Sequence, residues 1–272
     1  MNWTEATELQ HLRGSADGQG PVVFGANVNE DWTSLQGVHG GLVAALGVKA
    51  ARAVLDALGV DGGATLRSAT FGYVSGNRIG DLEISVDVIR RGRSLVTSHV
   101  TTEQDGKVTT VARLHYSTPW EGPEFSDAPP PPARPEQTVR MGIEGMSSHL
   151  DNVETLLDPT TTIFAGNDRA EWLAWSRPLH GGDFDAVWLT MYGDYFPPAV
   201  FTHATEPLRA VTIEYSIQIH DAAGVWSISD GEYLPTRVHA FHSHDGFAVE
   251  DGWIWMPSGE LLATVRQTRL AG

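Results

Sequence analysis

The sequence predicts an α+β fold built from two fused copies of one unit. Each unit is an antiparallel sheet wrapped around a central helix, and the two sheets join edge to edge into one. Three observations predict it. The stretch LRSATFGY at residues 66–73 returns as LRAVTIEY at residues 208–215, an offset of 142 (208 minus 66), with Leu, Arg, Thr and Tyr in the same places. A proline-rich stretch at residues 119–137 divides the 272-residue chain nearly in half. Each half shows the same order of signals, an apolar helical run and then strand-like runs punctuated by turns, which marks an internal repeat.

The first unit spans residues 1–118. After Gly40 and Gly41, the residues Val43, Leu46, Ala50, Ala53, Val54 and Ala57 fall at helical spacings. Most positions between them are small or apolar, so the helix is expected to be buried nearly all round, with Gly59 as its stop. The runs LRSATFGYV, DLEISVDVIR, SLVTSHVTTEQ and KVTTVARLHYS read as four strands. Asp105-Gly106 between the last two is a strong hairpin turn.

Residues 119–137 hold four consecutive prolines and several more, the composition of an extended, semi-rigid linker. The second unit spans residues 138–272. Its helix lies in LHGGDFDAVWLTMYGDYFPPAV, with Asp183 or Asp185 as the cap and Pro197-Pro198 helping to end it. LRAVTIEYSIQIH, GVWSISDGEYL, GFAVEDGWIWM and ELLATVRQTRL read as strands. Two further features repeat: HGG at His39 and His180, which need not be equivalent because the second helix starts a few residues later than the first, and the closing hairpins QDGKVTTVARLHY and PSGELLATVRQTR. A lone unit would leave one sheet edge exposed, and pairing two units covers it. This is a double hot-dog arrangement.

Composition narrows the function. The formal net charge of −16 repels nucleic acid and anionic membranes, so neither is expected as a partner. Cysteine is absent, which excludes disulfides and thiolate chemistry. No apolar run reaches the roughly 18–20 residues of a bilayer span. The opening residues MNWTEATELQHLRG have acids early and no apolar run, so no secretory signal and a cytoplasmic location are expected.

The chain resembles the acyl-CoA thioesterase II-like (TesB-like) double hot-dog family. The residues that carry the likeness are VHGGLVAAL, LRSATFGYVSGNRIGDLEISVDVIRRGRSL, MYGDYFPPAVF, RAVTIEYSIQIH and GELLATVRQTRL. They leave out the linker and the segment around residues 141–162. The resemblance implies hydrolysis of acyl-CoA thioesters without a cofactor. It places the catalytic groups at Asp194 on the second helix, Thr212 on the next strand and Gln267 on the last strand. The chain departs from the family pattern in its Pro197-Pro198 ending and in a shortened gap between Asp194 and Thr212.

The chemistry suits these residue types. A partly buried carboxylate can act as general base on water, or attack the thioester directly to form an anhydride. Thr212 and Gln267 are too weak to be bases but can position water and carboxylate. His39, Gly40 and Gly41 open a helix at which a substrate carbonyl could approach backbone N–H groups. Each residue also has an ordinary explanation. Asp194 could simply solvate a helix end. Thr212 is a good strand former, and Thr70 occupies its place in the first LRxxT copy. Gln267 stands where the first unit has Leu114, counting through Arg113 and Arg266, and a polar residue in one copy only points to a site.

Arg90, Arg91 and Arg93 in IRRGRS could meet CoA phosphates, or merely solvate a hairpin. Trp253 and Trp255 share one strand face and could line an acyl tunnel, as could any core pair. His239, His242 and His244 in HAFHSHD invite a metal reading, but His239 faces away from the other two on a strand, so no metal is expected. Two other functions compete. A non-catalytic acyl-CoA or acyl-chain binding protein would keep the fold without turnover. An enoyl-CoA hydratase would want a closely spaced Asp and His after a strand, and no D-x-N-P-x-H-like segment occurs. Assembly of such chains into a homo-oligomer is compatible with this sequence.

Overall fold

The computed structural model describes residues 3–17, 20–60, 63–142, 147–179 and 181–272. Thirteen strands of the described residues form one antiparallel sheet. In chain order they are β1 (Gln10–Arg13), β2 (Val22–Val28), β3 (Thr65–Tyr73), β4 (Gly80–Arg91), β5 (Leu95–Gln104), β6 (Lys107–Ser117), β7 (Val139–Arg140), β8 (Val153–Leu157), β9 (Glu171–Pro178), β10 (Ala210–Ile219), β11 (Leu234–His244), β12 (Phe247–Trp255) and β13 (Leu261–Ala271). Two helices matter for the site, α1 (Gly40–Ala57) and α2 (Ala186–Gly193).

The order across the sheet is β1-β2-β4-β5-β6-β3-β10-β13-β12-β11-β9-β8-β7. It reads almost as a palindrome about the β3–β10 junction. That junction runs antiparallel from Ser68↔Gln218 to Gly72↔Glu214, so two like edges close on each other through backbone hydrogen bonds. The turn residues behave as their chemistry requires. Asp105 and Gly106 have φ of 53° and 70°, and Asp245 and Gly246 have 51° and 72°, the positive pair of a tight hairpin.

Helix α1 buries twelve of its 18 residues, among them Leu42, Val43, Leu46, Val48, Val54 and Leu55. Each of these large side chains contributes up to about 2 kcal/mol of burial. Gly59, with φ of 65°, follows the helix end in the left-handed conformation. Helix α2 is buried from Val187 to Gly193. The Asp185 carboxylate accepts from Trp188 N–H at 2.9 Å and caps it. Asp185→Ala is therefore expected to cost about 1 kcal/mol of stability, read as a shift in denaturant midpoint.

The structure corrects four expectations about the elements. Strands β1 and β2 precede α1, and β7, β8 and β9 precede α2, so each unit is more than a helix and four strands. GVWSISDGEYL is not a strand of the main sheet. Its Val225–Ser227 pairs only with Asp183–Asp185, and the sheet takes Leu234–His244 instead. Helix α2 stops at Gly193, ahead of the prolines, with Asp194 as its C-cap. His180 of the second HGG lies outside the described residues, and His39, the residue before α1, has Asp185 as its positional partner.

The fourth correction concerns the repeat itself. Across β3–β6, Thr70 pairs with Arg113; across β10–β13, Ser216 pairs with Arg266. The counterpart of Thr70 is thus Ser216, an offset of 146 (216 minus 70). The same offset separates the bulges after Leu66 and Thr212, and the N-caps His39 and Asp185. The LRxxT copies, aligned at 142, are four residues out. A slip of four keeps every side chain on its own face of a strand, so the apolar pattern survives and disguises the error. Leu66, not Thr70, stands where Thr212 stands.

Residues 119–137 form no helix or strand apart from a bend at its end. Arg134 lies over the Tyr233 ring at 4.8 Å and ties the segment to the second half.

Candidate active site

The N-terminus of α1, from the first half, meets the C-terminus of α2, from the second. Glycine makes this approach possible. A Cβ at Gly40 would stand 2.8 Å from Asp194 Oδ2, and one at Gly41 would stand 2.6 Å from the Met191 carbonyl oxygen. His39 Nε2 donates to the Asp194 backbone carbonyl at 3.0 Å and locks the two helix ends together. Asp194 is 7% exposed, at the floor of a cavity of about 370 Å³ lined by Gly40, Tyr73, Phe201, Thr212 and Arg269 among others.

The sheet supplies the rest. After the bulge at Ile213, Thr212 shares the inward face with Gln267 and Arg269. Thr212 Oγ1 donates to Gln267 Oε1 at 3.1 Å, and Arg269 Nη1 donates to Thr212 Oγ1 at 2.6 Å. Gln267 Nε2 faces the Gly193 carbonyl at 3.5 Å and stands close enough to the Asp194 carboxylate to favour its charged form. Arg269 Nε is bound to Glu250, whose other oxygen accepts from Ala199 N–H at 2.8 Å.

Burial pushes the Asp194 carboxyl up to about 6, against the pull of Arg269, His149, Gln267 and Tyr73. The Tyr73 hydroxyl faces the carboxylate and favours its charged form, yet it makes no hydrogen bond of good geometry. His39 is pushed down to about 4 and His149 to about 3, chiefly by burial, so both rings are neutral near pH 7. They stack at 4.1 Å, and His149 Nδ1 and Nε2 each lie 3.1 Å from a carbonyl oxygen, Thr33 and Tyr195. A neutral ring can donate to only one of these. The assembly is a buried carboxylate, at neutral pH mostly ionised, with the Gln267 amide and the Tyr73 hydroxyl beside it.

Two family models match, described as acyl-CoA thioesterase N-terminal domain over residues 28–117 and acyl-CoA thioesterase C-terminal domain over residues 124–271. The chain belongs to the acyl-CoA thioesterase family. Its fold is that of solved double hot-dog structures. It is similar to a conserved hot-dog protein from Alicyclobacillus acidocaldarius (TM-score 0.81, 20% identity, covering 99% of this chain and 97% of that one). It is similar also to a putative thioesterase II from Thermobifida fusca (0.78, 20%, 100% and 98%) and to the acyl-CoA thioesterase II TesB2 from Mycobacterium marinum (0.74, 20%, 98% and 96%). No curated protein matches the sequence. Among the described residues, no helix is long and apolar enough to cross a membrane.

In this thioesterase, Asp194, Thr212, Gln267, His39, Gly40 and Gly41 come together. Other expected site residues do not. Arg91 donates to the Leu58 carbonyl just past the end of α1, and Arg90 and Arg93 flank the same β4–β5 hairpin. The 18 residues of α1 set that hairpin roughly 27 Å from Gly40. Trp253 alternates with Glu250, Gly252 and Ile254, which are buried on the inner face, so it points to the other face. Neither Trp253 nor Trp255 lines the cavity. A bulge between Ala240 and His242 breaks the strand alternation assumed for HAFHSHD. There His239 is half-buried, and His242 and His244 are exposed with rings 6.5 Å apart.

Three neighbours of Asp194 escaped the sequence reading, Arg269, Tyr73 and His149, and so did Glu250, which anchors Arg269. Arg269 carried a usable signal, since two residues beyond Gln267 on a strand is the same face. His149 carried none, because it comes from the segment outside the repeat.

Proposed function

We propose that this thioesterase cleaves acyl-CoA to free acid and CoA with a water activated by Asp194. The observation that carries the reading is one buried carboxylate, raised to about 6, facing the open end of a helix from the other half. Water takes its place between Asp194 and the thioester carbonyl, and Asp194 accepts the proton as the C–O bond forms. The first N–H groups of α1, at Gly40 and Gly41, have no partner within the helix, and with Gly40 lining the cavity they are suited to meet the developing oxyanion. The helix dipole adds to this. CoA sulfur leaves and takes the proton back. The exposed Arg209 at the rim is suited to a CoA phosphate, replacing Arg90, Arg91 and Arg93 in that role. The lack of cysteine fits work in a reducing cytoplasm.

Among the described residues, the first half carries no second copy of this site. By the offset of 146, and of 153 on the last strand (Arg266 minus Arg113), the counterparts of Asp194, Thr212, Gln267 and Arg269 are Val48, Leu66, Leu114 and Tyr116, all buried.

The test is a panel of acyl-CoA substrates with free-thiol detection, in which the cysteine-free protein contributes no signal. Turnover is expected, with kcat/KM flat above the Asp194 pKa and falling tenfold per pH unit below about 6. Binding of acyl-CoA without thiol release across the panel would replace hydrolysis with a binding role.

A further inference from the structure

We propose that Arg269, anchored by Glu250, is a positioning residue that fixes the direction of a hydrogen-bond chain through Thr212 and Gln267 to the Asp194 carboxylate. The inference rests on the assignment of Asp194 as base. Its logic is one of donors and acceptors. Arginine can only donate, so Thr212 Oγ1 must accept from Arg269 Nη1 at 2.6 Å. The single hydroxyl proton is then free to go to Gln267 Oε1 at 3.1 Å. With its oxygen so engaged, the Gln267 amide must turn its NH₂ toward the Gly193 carbonyl and Asp194. The opposite amide orientation would set Oε1 against two acceptors. Thr212 therefore spends its proton on Gln267 and has none for the attacking water. Its role is to pass on an orientation that starts at Arg269.

The anchor is built for this. Arg269 and Glu250 are 5% and 2% exposed, and Glu250 also holds Ala199 N–H, next to the Pro197-Pro198 turn. The guanidinium keeps one nitrogen, Nη2, buried without a hydrogen-bond partner. Burying a charge with one unpaired arm costs stability, and nothing in the packing of β13 demands it, since the first-half counterpart Tyr116 is held by a single bond to the Val48 carbonyl at 3.3 Å. The groups facing Asp194 come from every element packed against it. They are Arg269 (β13), Tyr215 (β10), Tyr73 (β3), His39 before α1 and His149. Only Arg269 carries a permanent positive charge.

The experiment uses the full chain in three forms: wild type, Arg269→Lys, and the double variant Arg269→Met/Glu250→Gln, which removes both charges and keeps an acceptor for Ala199. For the double variant, kcat is expected to fall about tenfold or more with KM little changed, and the acid limb of kcat/KM to move up by about one pH unit. Arg269→Lys keeps the charge but not the fork. Its acid limb should stay near that of wild type while kcat still falls. A structural role alone would lower melting temperature or active fraction and leave the limb in place. An unmoved limb in the folded double variant overturns the proposal. Should wild type itself hydrolyse no thioester, the base assignment fails separately. The chain is then judged by carbon-13 titration of the Asp194 carboxyl in the same variants, where an unchanged midpoint overturns it.

Discussion

Asp194→Asn is expected to lower kcat by about a thousandfold and at the same time to stabilise the protein at neutral pH. The first effect follows from loss of the general base, whose usual contribution is about 10²–10⁴ in rate. The second follows from linkage. Asp194 binds its proton more tightly in the folded chain, at about 6, than in the unfolded one, at about 4. Folding is therefore unpenalised below about pH 4. Stability falls as pH rises from about 4 to 6, and the cost then stays level at about 3 kcal/mol. Asn carries no charge to desolvate, so the variant should be more stable than wild type at pH 8 and indistinguishable from it at pH 4. Urea unfolding at the two pH values measures this. A variant equally destabilised at both would show that Asp194 is a packing residue.

Gly41→Ala is expected to cost about 3 kcal/mol and to remove more than 99% of activity. The new methyl would stand 2.6 Å from the Met191 carbonyl oxygen and 2.6 Å from His39 Cε1, with Asp194 Cβ at 3.1 Å. The carbonyl is helix backbone and cannot swing aside, so α2 must retreat from α1 and carry Asp194 with it. Overpacking costs about 1–3 kcal/mol, and a base displaced by an ångström costs about a hundredfold in rate. Gly47→Ala, on the same helix, is the control. Its methyl would meet only Val100 Cγ1 at 3.3 Å, and alanine is the better helix former by about 1 kcal/mol. Near-neutral behaviour is expected there. Comparable losses in both variants would mean that α1 resists any added volume, not that the helix crossing is special.

The parts of this fold that were legible in sequence are those with a short-range signature. Helix α1 shows in its small and apolar run, the hairpins show in Asp105-Gly106 and Asp245-Gly246, and the duplication shows in the shared order of elements. The register of the duplication was not legible. Strand side chains repeat every two residues, so an alignment wrong by four still matches inside to inside, and the LRxxT copies rewarded the wrong one. The strand pairings, the bulges after Leu66 and Thr212 and the helix caps fix the true offset, and a bulge has no residue signature here. In the site, Asp194, Thr212 and Gln267 came from a family likeness carried by their flanking motifs. Glu250 and Tyr73 were hidden because an inward polar residue on a strand looks like an outward one until the register is known. The Trp253 and Arg91 readings failed for a related reason. Composition marks a residue as suited to a role, while the face of a strand or the end of a helix decides whether it can reach.

The covalent union of the two units has a thermodynamic consequence. In a symmetric pair of separate chains, every substitution appears twice, so a buried carboxylate and a buried guanidinium in one copy would be imposed on the other. Here the mirror positions have diverged into Val48, Leu66, Leu114 and Tyr116, which pack as ordinary core. The first half can thus be selected for cohesion and the second for reactivity. The unbroken sheet across β3 and β10 ties the cohesive half to the reactive one through backbone hydrogen bonds, so that unfolding of either half exposes a sheet edge of the other.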